Sequence, residues 1–239
     1  MSIDGGPDII KDGLVLCIDA GNRNSYNSGS TTWFDLSTNR YTGSLVNGPT
    51  FNSSNNGSIV FDGTNDYVRV SSTSVIPAST SFTFNIWLNY SISGGAVFRD
   101  IVNNRESSTN NPGFLFTTDA VTSNGKIRVQ LNTSAAGNSY TSTGRSIATG
   151  TPKYASVVVN RESNLLIFYI DGTLDASFSI SGLGSISSTR PFDIGWDEPF
   201  ANPQAYFLGT IYTTQVYNRA LSATEVLQNY NANKGRFGL

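Results

Sequence analysis

The sequence predicts an all-β protein, an antiparallel sandwich of two sheets with one short C-terminal helix. Three observations point there. Strand-type runs recur at short intervals between turn residues, as at residues 81–90, 154–160 and 164–170. Hairpin dipeptides, Asp171-Gly172 and Asn124-Gly125, stand beside such runs. Charged residues make up only 13% of the 239, against roughly 25% in ordinary soluble chains, and Ser, Thr and Asn fill the difference. Uncharged polar surface suits strands and is cheap to desolvate against sugars or other proteins.

Taken in order, residues 14–18 (L-V-L-C-I) form the first strand and hold the single cysteine. No cation stands beside Cys17, so it reads as a small buried hydrophobe rather than a reactive thiol. Residues 58–62 and 66–70 are strands around a turn at Asp62-Gly63. In residues 81–90, Phe82, Phe84, Ile86 and Leu88 fall on one face, and Thr83, Asn85, Trp87 and Asn89 on the other. That period of two marks a half-buried strand. Trp87 faces away from the apolar side, and Trp87 and Trp33 both read as structural. Residues 96–102 are a further strand, and 126–131 (K-I-R-V-Q-L) follow Asn124-Gly125. Residues 154–160 and 164–170 are more continuously apolar, as central strands are. Asp171-Gly172 then makes a type I′ turn, which requires positive φ at both residues. Residues 192–195 and 206–217 complete the strands, and 23–32, 52–56 and 106–112 are polar loops.

Helix signals concentrate at one place. Ser222-Ala223-Thr224-Glu225 is a capping box, in which the Ser hydroxyl and the Glu carboxylate satisfy each other's orphan amides. Leu221 and Val226 form the hydrophobic staple, Val226, Leu227 and Tyr230 the apolar stripe, and Gly235 the stop. The helix is expected across a sheet edge or on the sandwich. Neither an internal repeat nor a linker divides the chain. Residues 1–11 read as an N-terminal arm with Gly5-Gly6-Pro7 as its flexible break, and 12–239 as one domain.

Several function classes are excluded. The net charge is −2 and the Lys and Arg residues are scattered, which argues against sequence-independent nucleic-acid binding. No apolar run approaches the roughly 18 residues of a membrane span, and the N-terminus lacks the pattern of a secretion signal. The absence of histidine excludes Ser-His-Asp and Cys-His sites and His-ligated zinc. A single cysteine cannot form an intrachain disulfide.

Four segments carry a family resemblance: G-L-V-L-C-I-D-A-G (13–21), W-F-D-L-S (33–37), I-V-F-D-G-T-N-D-Y-V (59–68) and V-Y-N-R-A-L-S-A-T-E-V-L-Q-N-Y (216–230). Together they resemble a laminin-G-like jelly-roll module of the concanavalin-A-like lectin/glucanase superfamily, over residues 12–230. The ending N-Y-N-A-N-K-G-R-F-G-L (229–239) resembles the tail of such modules in bacteriophage virion proteins. The resemblance implies a two-sheet jelly-roll sandwich. In the F-D-G-x-x-D-Y-V segment, Phe61, Tyr67 and Val68 are expected to pack, and Asp66 to accept amides of the turn.

Glycosidases of this superfamily use carboxylates at close spacing along a strand, as in Glu-x-Asp-x-x-Glu, on one sheet face. The four glutamates here, Glu106, Glu162, Glu198 and Glu225, do not form that pattern, so a non-enzyme is expected. Superfamily members often bind calcium through loop carboxylates. Calcium candidates here are Asp19, Asp62, Asp66 and Asp193, whose alternative role is making turns. The positions that are acidic in many relatives, just before V-Y-N-R, are Tyr212 and Thr213. For a ligand, residues 195–206 (G-W-D-E-P-F-A-N-P-Q-A-Y) offer Trp196, Asp197, Glu198, Phe200, Asn202 and Gln204, an aromatic face among planar polar groups. Residues 101–106 offer Asn103, Asn104 and Arg105. The same residue types serve subunit contacts.

These readings converge on a non-enzymatic bacteriophage virion surface protein, a decoration or fibre component, with a lectin-like module for host or environmental glycans. Expected partners are other virion proteins, reached through the arm, in a homo-oligomer or multi-copy assembly, with neither nucleic acid nor membrane insertion. Virion parts assemble in the reducing host cytoplasm, which fits the lack of disulfides and of a secretion signal. The alternatives are a free carbohydrate-binding module and a glycan-cleaving enzyme.

Overall fold

The computed structural model describes residues 7–70, 72–90, 99–106, 110–119, 125–141, 144–196 and 206–239. Among them run sixteen strands: β1 (Leu14–Asp19), β2 (Thr32–Phe34), β3 (Thr42–Val46), β4 (Thr50–Asn52), β5 (Ser58–Asp62), β6 (Tyr67–Val70), β7 (Phe82–Asn89), β8 (Arg99–Asn103), β9 (Gly113–Asp119), β10 (Lys126–Asn132), β11 (Gly137–Thr141), β12 (Lys153–Asn160), β13 (Leu165–Ile170), β14 (Thr173–Ser179), β15 (Phe192–Ile194) and β16 (Leu208–Tyr217). One α-helix, α1 (Ala223–Lys234), follows them. The back sheet has the order β14-β13-β12-β7-β16-β5-β4, with β1 also paired to β16. The front sheet has the order β11-β10-β9-β8-β15-β6-β3-β2. All pairings are antiparallel, so the expected all-β, two-sheet antiparallel jelly-roll sandwich is what the chain forms.

Alternation along the strands fills the space between the sheets. Val129, Phe116, Val102, Ile194 and Val68 form one register row of the front sheet and are all fully buried. Phe82, Phe84, Ile86 and Leu88 of β7 meet them from the back sheet, with Phe84 and Phe116 rings 5.0 Å apart. Each such burial contributes about 1.5–3 kcal/mol. The Asp171-Gly172 turn has φ of 50° and 73°, as a type I′ hairpin requires. Gly125 of the second expected turn has φ of 75°, while Asn124 lies outside the described residues. So do residues 96–98 of the strand expected at 96–102, which is described from Arg99.

The signature segment at residues 33–37 joins two parts of the sandwich. Trp33 is fully buried. The carboxylate of Asp35 accepts the amides of Cys17 (2.8 Å), Ser37 (2.8 Å) and Tyr41 (3.2 Å) and the Ser37 hydroxyl (2.6 Å). W-F-D-L-S therefore ties β1 to the β2–β3 corner. Cys17 is buried, as expected, and burial pushes its thiol pKa far up, so it does not ionise near neutrality.

The helix changes the reading of β7. Ser222 and Glu225 form the capping box, and α1 lies on the outer face of the back sheet. There Trp87, Tyr154, Tyr217, Leu221 and Val226 build a second apolar layer, joined by Tyr230 and Phe237. Both faces of β7 are consequently buried, where alternation alone predicts a half-exposed strand. Gly235 caps the α-helix, as expected, but with a right-handed φ of −59°, so a 3-10 turn (Gly235–Phe237) follows and ends at Gly238, whose φ is 70°. Leu227 of the expected stripe is 43% exposed. The extra turn places Phe237 on Trp87, rings 4.4 Å apart. It also inserts Arg236 beside β1, donating from Nη1 to Asp19 (2.8 Å), from Nε to the Asn55 carbonyl and from Nη2 to the Gly57 carbonyl.

The described part of the expected arm is docked. The Ile10 amide donates to Asn229 Oδ1 (2.8 Å), the Tyr217 hydroxyl to the Ile10 carbonyl (2.9 Å), and Gln228 to the Asp8 carbonyl (2.8 Å). Residues 1–6 lie outside the described residues. No helix among the described residues is long and apolar enough to cross a membrane.

Candidate functional site

With α1 over the back sheet, the remaining broad strand surface is the outer face of the front sheet. On β6, Val68 and Val70 point into the core, so Tyr67 and Arg69 point outward. On β15, Phe192 and Ile194 join the core and Asp193 points outward. Register then aligns an outer row, polar except for Leu115, of Gln130–Leu115–Asn103–Asp193–Arg69–Ser44 across β10, β9, β8, β15, β6 and β3.

At the centre of the row Arg69 and Asp193 pair side by side, Nε to Oδ1 at 2.8 Å and Nη2 to Oδ2 at 2.7 Å. The Asp193 side chain is 2% exposed and that of Arg69 28%, so the pair presents the guanidinium to the surface. The guanidinium carbon lies 5.2 Å from the centre of the Tyr67 ring, a cation–π contact. Trp196 packs on Tyr67 (4.8 Å, 42°) and stacks nearly parallel on Tyr206 (5.5 Å, 9°). The three rings are each half-buried. Burial, and then the neighbouring Tyr67, raise the Tyr206 phenol pKa above its ordinary value.

Glycine fixes the position of Trp196. Gly195 has φ of 92°, and a Cβ there would stand 2.8 Å from the Phe61 ring. The Gly195 amide donates to the Ile101 carbonyl and its carbonyl accepts from Phe207, both under 3 Å. The backbone therefore leaves the sheet at this point, with Trp196 as the next residue.

The two segments singled out in the sequence meet here, because β8 and β15 are paired and Asn103 is opposite Asp193. Asn103 accepts from the Arg105 amide (3.0 Å) and Arg105 Nε (3.3 Å), and Arg105 Nη1 donates to Gln130. Asn104 does not join them: its Oδ1 accepts the Phe114 amide (2.8 Å), which pins β8 to β9. Asp197, Glu198, Phe200, Asn202 and Gln204 lie outside the described residues. Tyr67, Arg69 and Gln130 were missed. The alternation Tyr-Val-Arg-Val in β6 was the available signal for the first two.

The calcium candidates are not brought together. Asp193 is paired with Arg69 and Asp19 with Arg236. Asp62 caps the Thr64 amide (2.7 Å), and Asp66 accepts the Asp62 amide (3.1 Å), as expected of the turn. Burial raises the Asp66 pKa. No group of three or more metal-ligating side chains converges among the described residues, so these four do not fit one shared ion. Tyr67, expected to pack, does so on the outer face, against Trp196 and Arg69.

Among curated proteins none matches the sequence. Solved structures do match the fold. The binding domain of Paraclostridial mosquitocidal protein 1 aligns with a TM-score of 0.75 and 19% identity, over 93% of this chain and 52% of that one. The botulinum neurotoxin serotype D binding domain aligns at 0.71 and 16%, over 92% and 52%. The serotype D ligand binding domain in complex with N-acetylneuraminic acid aligns at 0.70 and 14%, over 92% and 51%. The chain thus spans about half the length of these structures, and at such identity the likeness is one of fold. A family model of laminin-G type, described as Concanavalin A-like lectin/glucanases superfamily, matches residues 62–227. That match covers more than half of the sequence and runs from the F-D-G turn to the capped helix, and by it the chain belongs to the laminin-G branch of the Concanavalin A-like lectin/glucanases superfamily.

Proposed function

We propose that this chain is a non-enzymatic, lectin-like binding module whose ligand face is the Tyr67–Trp196–Tyr206 cluster with Arg69, the last held from beneath by the buried Asp193. The observation that carries the reading is the continuity of stacked rings with a charge pair on one outer sheet face. Pyranose rings dock their C–H faces on aromatics and exchange hydrogen bonds with planar polar groups. Two of the described glutamates are poorly suited to acid catalysis. Glu106 is held below its ordinary pKa by hydrogen bonds from Thr189 and Ser188, despite some burial. Glu225 is held at about 2, chiefly by Arg219. Neither retains the proton that a general acid needs at neutral pH. The solved neighbours are binding domains, one of them in complex with N-acetylneuraminic acid, and that points the same way.

The setting we propose is the surface of a bacteriophage particle, as a decoration or fibre component assembled in the host cytoplasm. Many copies would raise weak glycan affinity by avidity, and the N-terminal arm, residues 1–11, would contact neighbouring virion proteins. The resemblance of residues 229–239 to virion modules supports this setting. The test is a glycan array with multimerised protein beside Trp196→Ala. Binding lost in the variant with the fold intact is the expected result. Absence of binding, or binding indifferent to Trp196, overturns the ligand face. A fixed copy number of the chain in purified particles is expected, and its absence overturns the virion setting.

A further inference from the structure

On the opposite side of the molecule from the ligand face, we propose that the seam between α1 and the back sheet is a binding site for one structural water molecule, held by Asn85, Ser156 and Tyr154. The floor of this seam is polar although it is buried. Cys17, Gln215, Asn85, Ser156 and Tyr169 stand opposite one another across β1, β16, β7, β12 and β13, and none is more than 6% exposed. Buried polar groups are almost always hydrogen-bonded, and much of this face obeys. Thr83 Oγ1 donates to the Arg219 carbonyl and accepts the Leu221 amide, both at 2.9 Å. Asn229 of α1 donates to the Tyr217 hydroxyl (3.2 Å) and accepts the Ile10 amide (2.8 Å). Asn85 Nδ2 reaches Gln215 Oε1 at 3.5 Å.

Three atoms of the same patch are left over. Asn85 Oδ1, Ser156 Oγ and Tyr154 Oη are buried and have no hydrogen-bond partner among the described residues. They are neighbours. Asn85 and Ser156 are directly opposed on β7 and β12, which sets their Cβ atoms about 4.5–5.5 Å apart. Tyr154 lies two residues before Ser156, on the same sheet face as Val158 and Trp87. Its phenol is near enough to Ser156 and Asn229 for both to act on it, yet it bonds neither directly. Polar groups that face each other just beyond bonding range are the ordinary setting of a bridging water. Ser156 leaves room for one, as the short side chain between Tyr154 and Val158 on its face of β12. The donors and acceptors also match. A water accepts from the Ser156 and Tyr154 hydroxyls and donates to Asn85 Oδ1, and about three bonds is usual for a buried water. It thereby cross-links β7 to β12 beneath the helix.

The test joins a high-resolution crystal structure of the full chain to urea unfolding of Tyr154→Phe and Ser156→Ala. Density for a single water is expected within about 2.6–3.2 Å of all three oxygens. Each variant deletes one hydroxyl and adds no bulk, so the sign of its effect is informative. With the water in place, each deletion breaks one of its bonds, and the unfolding equilibrium constant should rise roughly three- to tenfold. A hydroxyl with no partner at all only costs stability, so deleting it would leave that constant unchanged or lower it. No density at this point, density for a larger molecule, or variants at least as stable as wild type would each overturn the proposal. Should a variant fail to fold, the wild-type density decides.

Discussion

Removing the Arg236 side chain should destabilise the whole domain, although the residue is the fourth from the end. In Arg236→Ala, Asp19 loses its ion pair, and the carbonyls of Asn55 and Gly57 lose their donors. The Arg236 side chain is only 7% exposed, against 23% for Asp19. A buried polar group left unpaired costs about 1–3 kcal/mol. Asp19 and Asn55 can regain water, so the three losses do not simply add, and about 2–4 kcal/mol is the expected total. In a chain of this size that lowers Tm by roughly 4–16 °C. Urea denaturation followed by tryptophan fluorescence is the assay, because Phe237, the next residue, stacks on Trp87. Arg236→Lys should recover only part of the loss, since an ammonium cannot span three acceptors as a guanidinium does. A loss below about 0.5 kcal/mol in the alanine variant, or full recovery by lysine, would refute the view that this side chain locks the C-terminus to β1.

Glu225 gives a pH signature. Its hydrogen-bonded pair with Arg219, and the Ser222 amide and hydroxyl, hold its pKa at about 2 against an ordinary 4.5. A pKa depressed by folding means stability that is full above about pH 4.5 and lost as pH falls towards 2. The side chain is 28% exposed, so after screening the contribution is about 1–2 kcal/mol. Glu225→Gln should be less stable than wild type by that amount at pH 7, and the difference should vanish near pH 2 in paired urea titrations. Asp35→Ala strips four donors of a shared, buried acceptor and should cost about 3–5 kcal/mol; an unchanged midpoint would contradict the hub role of Asp35. For calcium, Tm in millimolar CaCl2 and in EDTA should agree within about 1 °C. A rise well beyond that would reveal a site by the usual linkage of ligand to stability.

Much of this architecture is written in short stretches of sequence. The alternation of β7, the Asp171-Gly172 turn and the Ser222–Glu225 capping box are decided by neighbours two to four residues away, and those features stand where local chemistry places them. The fate of the outer side of β7 is different. Thr83, Asn85 and Trp87 look half-exposed from their own strand, and they are buried because a helix far along the chain covers them. Short edge strands such as β2 and β4 have three residues each, too few for a period to register. The ligand face divides in the same way. Tyr67 and Arg69 could be assigned outward from alternation with Val68 and Val70. The pairing of Arg69 with Asp193, 124 residues apart, depends on β15 lying between β8 and β6, which no local signal encodes.

The position of α1 has a consequence for how the module can be mounted. Residues 8–10 are bonded to α1 and to Tyr217, and the chain ends just beyond the same helix. Both described ends therefore emerge behind the back sheet, with two sheets about 10 Å apart between them and the Trp196 cluster. A scaffold or sensor surface that holds the protein at residues 8–10 or at the end of α1 grips it from behind. An array of copies fixed this way would all turn the same aromatic face outward, so orientation is settled by the fold before any partner is met.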